Sequence, residues 1–360
     1  MGVSSPSSAD SSLDFLEIRR EIEAVLEGFL TEKADAAIAA CLPGDVALLM
    51  RDFVSSGGKR IRPLLCVIGW YAAEGRGDTG PVIRAAASLE MSHASALVHD
   101  DIMDASDTRR GQPTVHRAVA ARHADRLDAE EFGRNVAILI GDVAFAWSAE
   151  MLHNAGLAPD RLVAALRVVD RMRTGVGYGQ YLDLLAQGRP TEDCEAALKI
   201  VRHKTALYTC ESPLHLGAAL AGAEARHFAA LTAYAVPLGE AFQLRDDLLG
   251  VFGEVETTGK PCLDDLRSGK HTVLLALALQ RGDPGQRTAL ELLVGNPALA
   301  EDDAALVRGI LTTTGARDEV EHMIGVRREQ AQRALDEAGF PPIATDALRR
   351  IAELATERKS

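Results

Sequence analysis

Residues 80–105 read GPVIRAAASLEMSHASALVHDDIMDA. Apolar side chains recur there at helical spacing, and the segment ends on Asp100-Asp101-Ile102-Met103-Asp104. In a helix Asp100 and Asp104 stand four apart and Asp101 and Asp104 three apart, so their carboxylates share one face. Like charges so placed repel by a few tenths of a kcal/mol per pair, and by more if buried. A hard divalent cation relieves that repulsion, usually Mg²⁺ when a phosphate completes the oxygen shell. A second cluster, Asp246-Asp247-Leu248-Leu249-Gly250, closes another helical segment far along the chain. Two such faces turned toward one cavity would make a diphosphate-handling site.

Working outward, the helical period dominates. Phe15, Ile18, Ile22, Val25, Leu26, Phe29 and Leu30 fall on one stripe. The pattern recurs at 34–54, 62–74, 80–105, 112–124, 129–154, 159–175, 191–220 and 224–252. It continues at 270–281, 286–296, 302–314, 316–338 and 342–358. Sustained two-residue alternation is absent, and the breaks at 75–80, 188–190, 282–284 and 339–342 carry Gly and Pro. The reading is a Ser-rich disordered tail over 1–12 and one all-α domain over 13–360, with helices packed around a central cavity. Aromatic residues make up 4% of the chain and small side chains abound, which leaves room for an elongated ligand or reflects helix propensity alone.

The 360 residues are 47% hydrophobic, enough for a large core, and carry a net charge of −13. That balance argues against a nucleic-acid binder, which would carry a basic footprint. It does not exclude an anionic substrate if metal ions and placed Arg and Lys invert the local field. The five cysteines are scattered without paired spacing, as expected for reduced thiols in the cytoplasm. No signal-peptide pattern opens the chain, and the apolar run Val136–Ile140 is cut by Gly141-Asp142 before the ~20 residues of a membrane span.

Several further groups carry chemistry. Gly57-Gly58-Lys59-Arg60-Ile61-Arg62-Pro63 is a dense basic turn opening a helix, and Arg109-Arg110-Gly111 follows the first acidic cluster. Arg forks, Lys charges and helix N-termini bind phosphate oxygens. Lys204-Thr205 adds a cation and a hydroxyl, and Gln243 shares a helical face with Asp247. Lys260 and Lys270 bracket Asp264-Asp265, a pair that reads as a helix cap or surface feature rather than as ligands. Taken alone, His93 and His99 read as core histidines.

Together these motifs resemble the trans-isoprenyl diphosphate synthases, or polyprenyl synthetases. The resemblance covers nearly the whole chain from about Leu13. It runs through Gly58-Lys59-Arg60-Ile61-Arg62-Pro63, Glu90-x-x-His93, His99–Asp104, Asp107–His116, Gly141-Asp142 and Gly179-Gln180-x-x-Asp183. Lys204-Thr205, Phe242-Gln243-x-x-Asp246-Asp247 and Gly259-Lys260 complete it. The family resemblance implies an isoprenoid synthase fold, a homodimer, and Mg²⁺, three ions with substrate bound. It implies that Asp100, Asp104 and Asp246 hold an allylic diphosphate through the metal, with Asp101 and Asp247 in the outer shell. Arg109, Lys204 and Lys260 would contact the same diphosphate, with Gln243 and Thr205 nearby. Isopentenyl diphosphate would sit in a metal-free pocket of Lys59, Arg62, His93 and Arg110, with Arg60 as the weaker member of the turn.

Product length would follow from where the apolar tunnel ends. By resemblance Ser95 and Ala96, five and four residues before the first motif, form part of the floor; both are small, so a growing chain passes them. Phe145 and Trp147, with Met91 or Ser92, are deeper floor candidates. The expected product is geranylgeranyl diphosphate, with farnesyl or longer polyprenyl products as alternatives. Gly250 stands where the family often has a third Asp, and is expected to alter metal affinity or allylic preference without abolishing turnover. A class I terpene cyclase has no use for the second basic pocket, and a non-catalytic homologue should have lost ligands that this chain retains. The Ser-rich tail is a candidate docking segment for an assembly partner.

Overall fold

The computed structural model describes residues 12–188, 191–253 and 263–356; most of the Ser-rich segment, Lys260 and Cys262 lie outside the described residues. The chain is built from α1 (Phe15–Ala39), α2 (Asp45–Ser55), α3 (Ile61–Ala72), α4 (Gly80–Met103), α5 (Val115–Arg122), α6 (Ala129–His153) and α7 (Pro159–Ala186). Then come α8 (Cys194–Ile200), a π-helical stretch over Val201–Glu211, α9 (Ser212–Ala221) and α10 (Ala225–Phe252). α11 (Asp264–Ser268), α12 (Val273–Arg281), α13 (Pro284–Leu293), α14 (Glu301–Thr313), α15 (Ala316–Glu337) and α16 (Pro342–Thr356) complete it. The all-α expectation holds. Strand among the described residues is confined to a two-residue antiparallel pair, β1 (Thr108–Arg109) with β2 (Gln112–Pro113).

Three of the differences from the periodicity reading have a visible cause. The segment 34–54 is two helices, because Cys41 turns left-handed (φ 56°) and ends α1's run before α2 begins. Residues 112–113 belong to the hairpin, so the helix read at 112–124 starts at Val115. α7 runs on past residue 175 to Ala186, through Gly175, Gly177 and Gly179. A Cβ at Gly179 would stand 2.6 Å from the Lys204 backbone nitrogen. The glycine that looks like a break is where α7 crosses the π-helical stretch backbone to backbone.

Two apolar clusters hold the helices. The larger is built on α1–α7, α9, the first half of α10 and α16, and includes Ile22, Leu26, Met50, Leu65, Met91 and Tyr234. The smaller gathers the second half of α10 with α12–α15 around Leu244, Val273, Leu290 and Val307. α6 is the one described helix long and apolar enough to cross a membrane, Gly141-Asp142 notwithstanding. Its stripe Gly133, Ala137, Ile140, Gly141, Ala144 and Ser148 is buried, and it packs along α4 and α5.

Candidate active site

A cavity of about 810 Å³ is lined by the turn before α3, by α4, the hairpin, the π-helical stretch, α10 and the segment from α11 to α12. α4 presents Glu90, His93, Leu97 and Asp100 to it, one stripe at helical spacing. The π-helical stretch presents Val201, Thr205 and Thr209, with Lys204 beside them. Such wide turns advance by more than four residues, which keeps side chains four apart aligned on one wall.

The first acidic cluster divides into two roles. Asp101 is 1% exposed, and Arg109 Nε donates to both its oxygens at 2.8 Å while Nη2 donates at 2.5 Å. That bidentate fork fixes Arg109, whose Nη2 also stands 3.6 Å from Asp100 Oδ2. Asp100 lines the cavity, and Lys204 Nζ lies 3.2 Å from its Oδ1 and 2.6 Å from Asp183 Oδ2. Burial alone would raise Asp100, but Lys204, Lys270 and Arg109 outweigh it and hold the carboxyl below its ordinary value. Asp104 shows the opposite balance: burial raises it more than Lys270 can offset. Lys270 Nζ stands 3.7 Å from Asp104 Oδ2 and 3.5 Å from Asp265 Oδ1.

Across the cavity, Asp246 and Asp247 both line the wall, and Asp247 is buried. Thr205 Oγ1 donates to Gln243 Oε1 at 2.6 Å, and Gln243 Nε2 donates to Asp247 Oδ1 at 2.8 Å. Burial pushes the Asp247 carboxyl up to about 7 against the pull of that hydrogen bond. Among the described residues no three His, Cys, Asp or Glu side chains converge on one point. The carboxylates of Asp100 and Asp246, which both line the cavity, are the donor type that Mg²⁺ takes, with phosphate oxygens and water completing the shell.

The basic turn brings a second group of side chains to the cavity. Lys59, Arg62, His93 and Arg110 line it together. Arg62 Nη2 donates to Thr209 Oγ1 at 2.6 Å and its guanidinium lies 4.6 Å from the centre of the Tyr208 ring. Arg110 Nη1 donates to the Gly57 carbonyl. Arg62 Nε and His93 Nδ1 are buried without a hydrogen-bond partner, a cost of about 1–3 kcal/mol each that an anionic ligand would relieve.

His93 titrates well below the ordinary histidine range, through burial first and then Arg62, Arg109, Arg110 and Arg60. The folded chain therefore holds it neutral while the unfolded chain takes up a proton as pH falls through about 6.5. Its contribution is present above that pH and is lost on acidification. His93→Gln is expected to lose less Tm than wild type between about pH 7.5 and pH 5.5, read by thermal unfolding. Equal losses in both would contradict the assignment.

Several expectations need correction. Arg60 lines the cavity, yet its guanidinium turns inward onto Glu90 Oε1 at 2.6 Å and the Val54 carbonyl at 2.6 Å, so it serves the fold. Asp265 is not a surface feature; it lines the cavity with Lys270. Phe145 is 45% exposed on α6 under the Arg173 guanidinium and does not line the cavity. It follows the buried Ala144 by one residue, and that 100° step takes it off the inward stripe. Trp147 packs edge-on against Phe29 instead. Ser95 is buried and Ala96 partly so, and neither lines the cavity. His99 is not core: its Nε2 lies 3.2 Å from the Ile138 carbonyl at the protein surface. Lys260 lies outside the described residues. Asp183, Lys270 and Thr209 were not among the expected site residues; Asp183 and Lys270 stood in quoted motifs, and Thr209 carried no sequence signal.

The polyprenyl synthetase family model matches residues 45–310. A geranylgeranyl pyrophosphate synthase from Corynebacterium glutamicum, solved with isoprenyl diphosphate and magnesium, superposes with a TM-score of 0.92 at 43% identity, covering 96% of this chain and 100% of that one. The geranylfarnesyl diphosphate synthase of Aeropyrum pernix is 33% identical over 74% of this chain and 80% of its own. The (2E,6E)-farnesyl diphosphate synthase of Mycobacterium bovis is 35% identical over 72% and 68%. These relatives carry names for three different products, so likeness fixes the chemistry class and leaves the chain length open. The chain belongs to the polyprenyl synthetase family and is a prenyltransferase of the isoprenyl diphosphate synthase type.

Proposed function

We propose that the protein condenses isopentenyl diphosphate with an allylic diphosphate, head to tail and in trans, with geranylgeranyl diphosphate as product. The observation that carries this is that one cavity is lined both by a group of carboxylates with their cations and by a group of basic side chains. Asp100, Asp183, Asp246 and Lys204 belong to the first; Lys59, Arg62, His93 and Arg110 belong to the second. Two diphosphates are accommodated by two unlike chemistries.

In this reading Asp100, Asp104 and Asp246 hold Mg²⁺, three ions in all with substrate bound, and that metal supplies charge neutralisation on the leaving diphosphate. Arg109, positioned by Asp101, and Lys204 add cations on the same group as its bond to the allylic carbon breaks. Lys260 joins them from outside the described residues. Gln243, oriented by Thr205, holds Asp247 behind the metal ligands. The basic group fixes the second diphosphate so that its double bond meets the allylic cation, and the proton then lost passes to the released pyrophosphate. Closing the site against water protects the cation.

Residues 13–360 act as one catalytic unit in this reading, in the cytoplasm. The outward faces of α6 and α7, with Leu139, Phe145, Tyr178 and Tyr181 exposed, are where two copies pair as a homodimer. The tail ahead of α1 remains a candidate docking segment. Purified protein given Mg²⁺, isopentenyl diphosphate and dimethylallyl, geranyl or farnesyl diphosphate in turn is expected to yield geranylgeranyl diphosphate by mass spectrometry. A farnesyl or much longer wild-type product would refute the chain-length assignment, and no condensation with any starter would refute the function.

A further inference from the structure

Gly250 sits on α10 three residues beyond Asp247, at the close of the second acidic motif. A Cβ placed there would stand 2.1 Å from Asp265 Oδ2 and 3.1 Å from its Cγ. The volume that any side chain at 250 would fill is therefore occupied by the Asp265 carboxylate, delivered from α11. Its other oxygen lies 3.5 Å from Lys270 Nζ, and that ammonium lies 3.7 Å from Asp104 Oδ2 on α4. Asp265 and Lys270 both line the cavity. A line of alternating charge thus runs from α11 through Lys270 to the first acidic motif, and its first member has room only because residue 250 has no side chain.

We propose that Gly250 and Asp265 act as one unit, in which Asp265 is the third carboxylate of the second acidic motif and a positioning residue that holds Lys270 against Asp104. The inference rests on reading the cavity as a Mg²⁺–diphosphate site. An acid at 250 would have to swing the Asp265 carboxylate out of this volume, and their like charges would repel at that distance. An Asp introduced at 250 therefore displaces Asp265 instead of adding a fourth ligand. Gly250→Ala does the same without supplying a carboxylate.

The test titrates Mg²⁺ into the full chain with inorganic pyrophosphate present, read by calorimetry and by the rise in Tm, alongside allylic KM and kcat. Gly250→Ala and Asp265→Asn are each expected to weaken apparent Mg²⁺ affinity about tenfold, the size usual for supporting groups around a metal. The two combined should cost no more than either alone, because both remove the same carboxylate. Gly250→Asp/Asp265→Ala should recover most of the loss. Circular dichroism confirms that each variant is folded, and Asp265→Asn preserves shape where Gly250→Ala does not. Wild-type affinity in Asp265→Asn, multiplying effects in the double variant, or no recovery in the swap would each overturn the coupling alone. A wild-type chain with no Mg²⁺–pyrophosphate stabilisation and no condensation would overturn the functional reading and the coupling with it.

Discussion

Asp100→Asn is expected to lower kcat about 10³-fold, whereas Asp101→Asn, one residue on, is expected to cost about 10–100-fold. The difference follows from where the two carboxylates point. Asp100 lines the cavity, and Lys204, Lys270 and Arg109 keep it ionised despite burial. An ionised oxygen facing the substrate is what a hard cation needs. Asp101 faces away and accepts three short hydrogen bonds from Arg109. Its amide analogue leaves one good acceptor for that fork and loosens a cation that would otherwise meet the leaving diphosphate at a fixed angle. Single-turnover kinetics with saturating Mg²⁺ separate the cases. Asp100→Asn should also lose most of the Mg²⁺–pyrophosphate stabilisation, which Asp101→Asn should largely keep. Equal losses from both substitutions would contradict the division of roles.

The helices were legible because each buries one stripe, and stripes survive as a 3.6-residue period in the sequence. What failed to show was geometry between helices. Gly175, Gly177 and Gly179 have the composition of a break, yet Gly179 is a crossing point inside α7, a fact held by Lys204 rather than by its own neighbours. The π-helical stretch has no distinct composition, although its wide turns align Thr205 with Thr209. Asp183 and Lys270 are far apart in sequence and take their meaning from opposite ends of the first acidic motif. The carboxylates that line the cavity, Asp100, Asp246 and Asp247, could be picked out beforehand because they stand in paired clusters that close helical segments. Phe145 was misjudged because counting residues along α6 fixes depth, while the face it occupies depends on a single 100° step.

Arg60 and Arg62 sit two apart in one basic turn, and their substitution should separate fold from function. Arg60 is 4% exposed, with its guanidinium on Glu90 at 2.6 Å and on two backbone carbonyls, Gly57 at 3.1 Å and Val54 at 2.6 Å. Glu90 is itself 5% exposed. Arg60→Met therefore strands a buried carboxylate, a change that costs about 3–5 kcal/mol. The Tm should fall on the order of 10 °C. Replacing both partners, as Arg60→Met/Glu90→Leu, should restore a large part of that loss, because the pair's attraction mainly offsets the cost of burying it. Arg62 is different: its guanidinium donates to the neutral Thr209 hydroxyl at 2.6 Å and lies over the Tyr208 ring, on the cavity wall it shares with Lys59, His93 and Arg110. Arg62→Met should leave stability within about 1 kcal/mol of wild type and raise the KM for isopentenyl diphosphate about 10–100-fold, the worth of a charge-assisted hydrogen bond. Thermal unfolding and steady-state kinetics on the three variants decide it. A stable Arg60→Met chain, or an Arg62→Met chain that unfolds early with an unchanged KM, would mean that the turn does not divide its two guanidiniums between the core and the substrate.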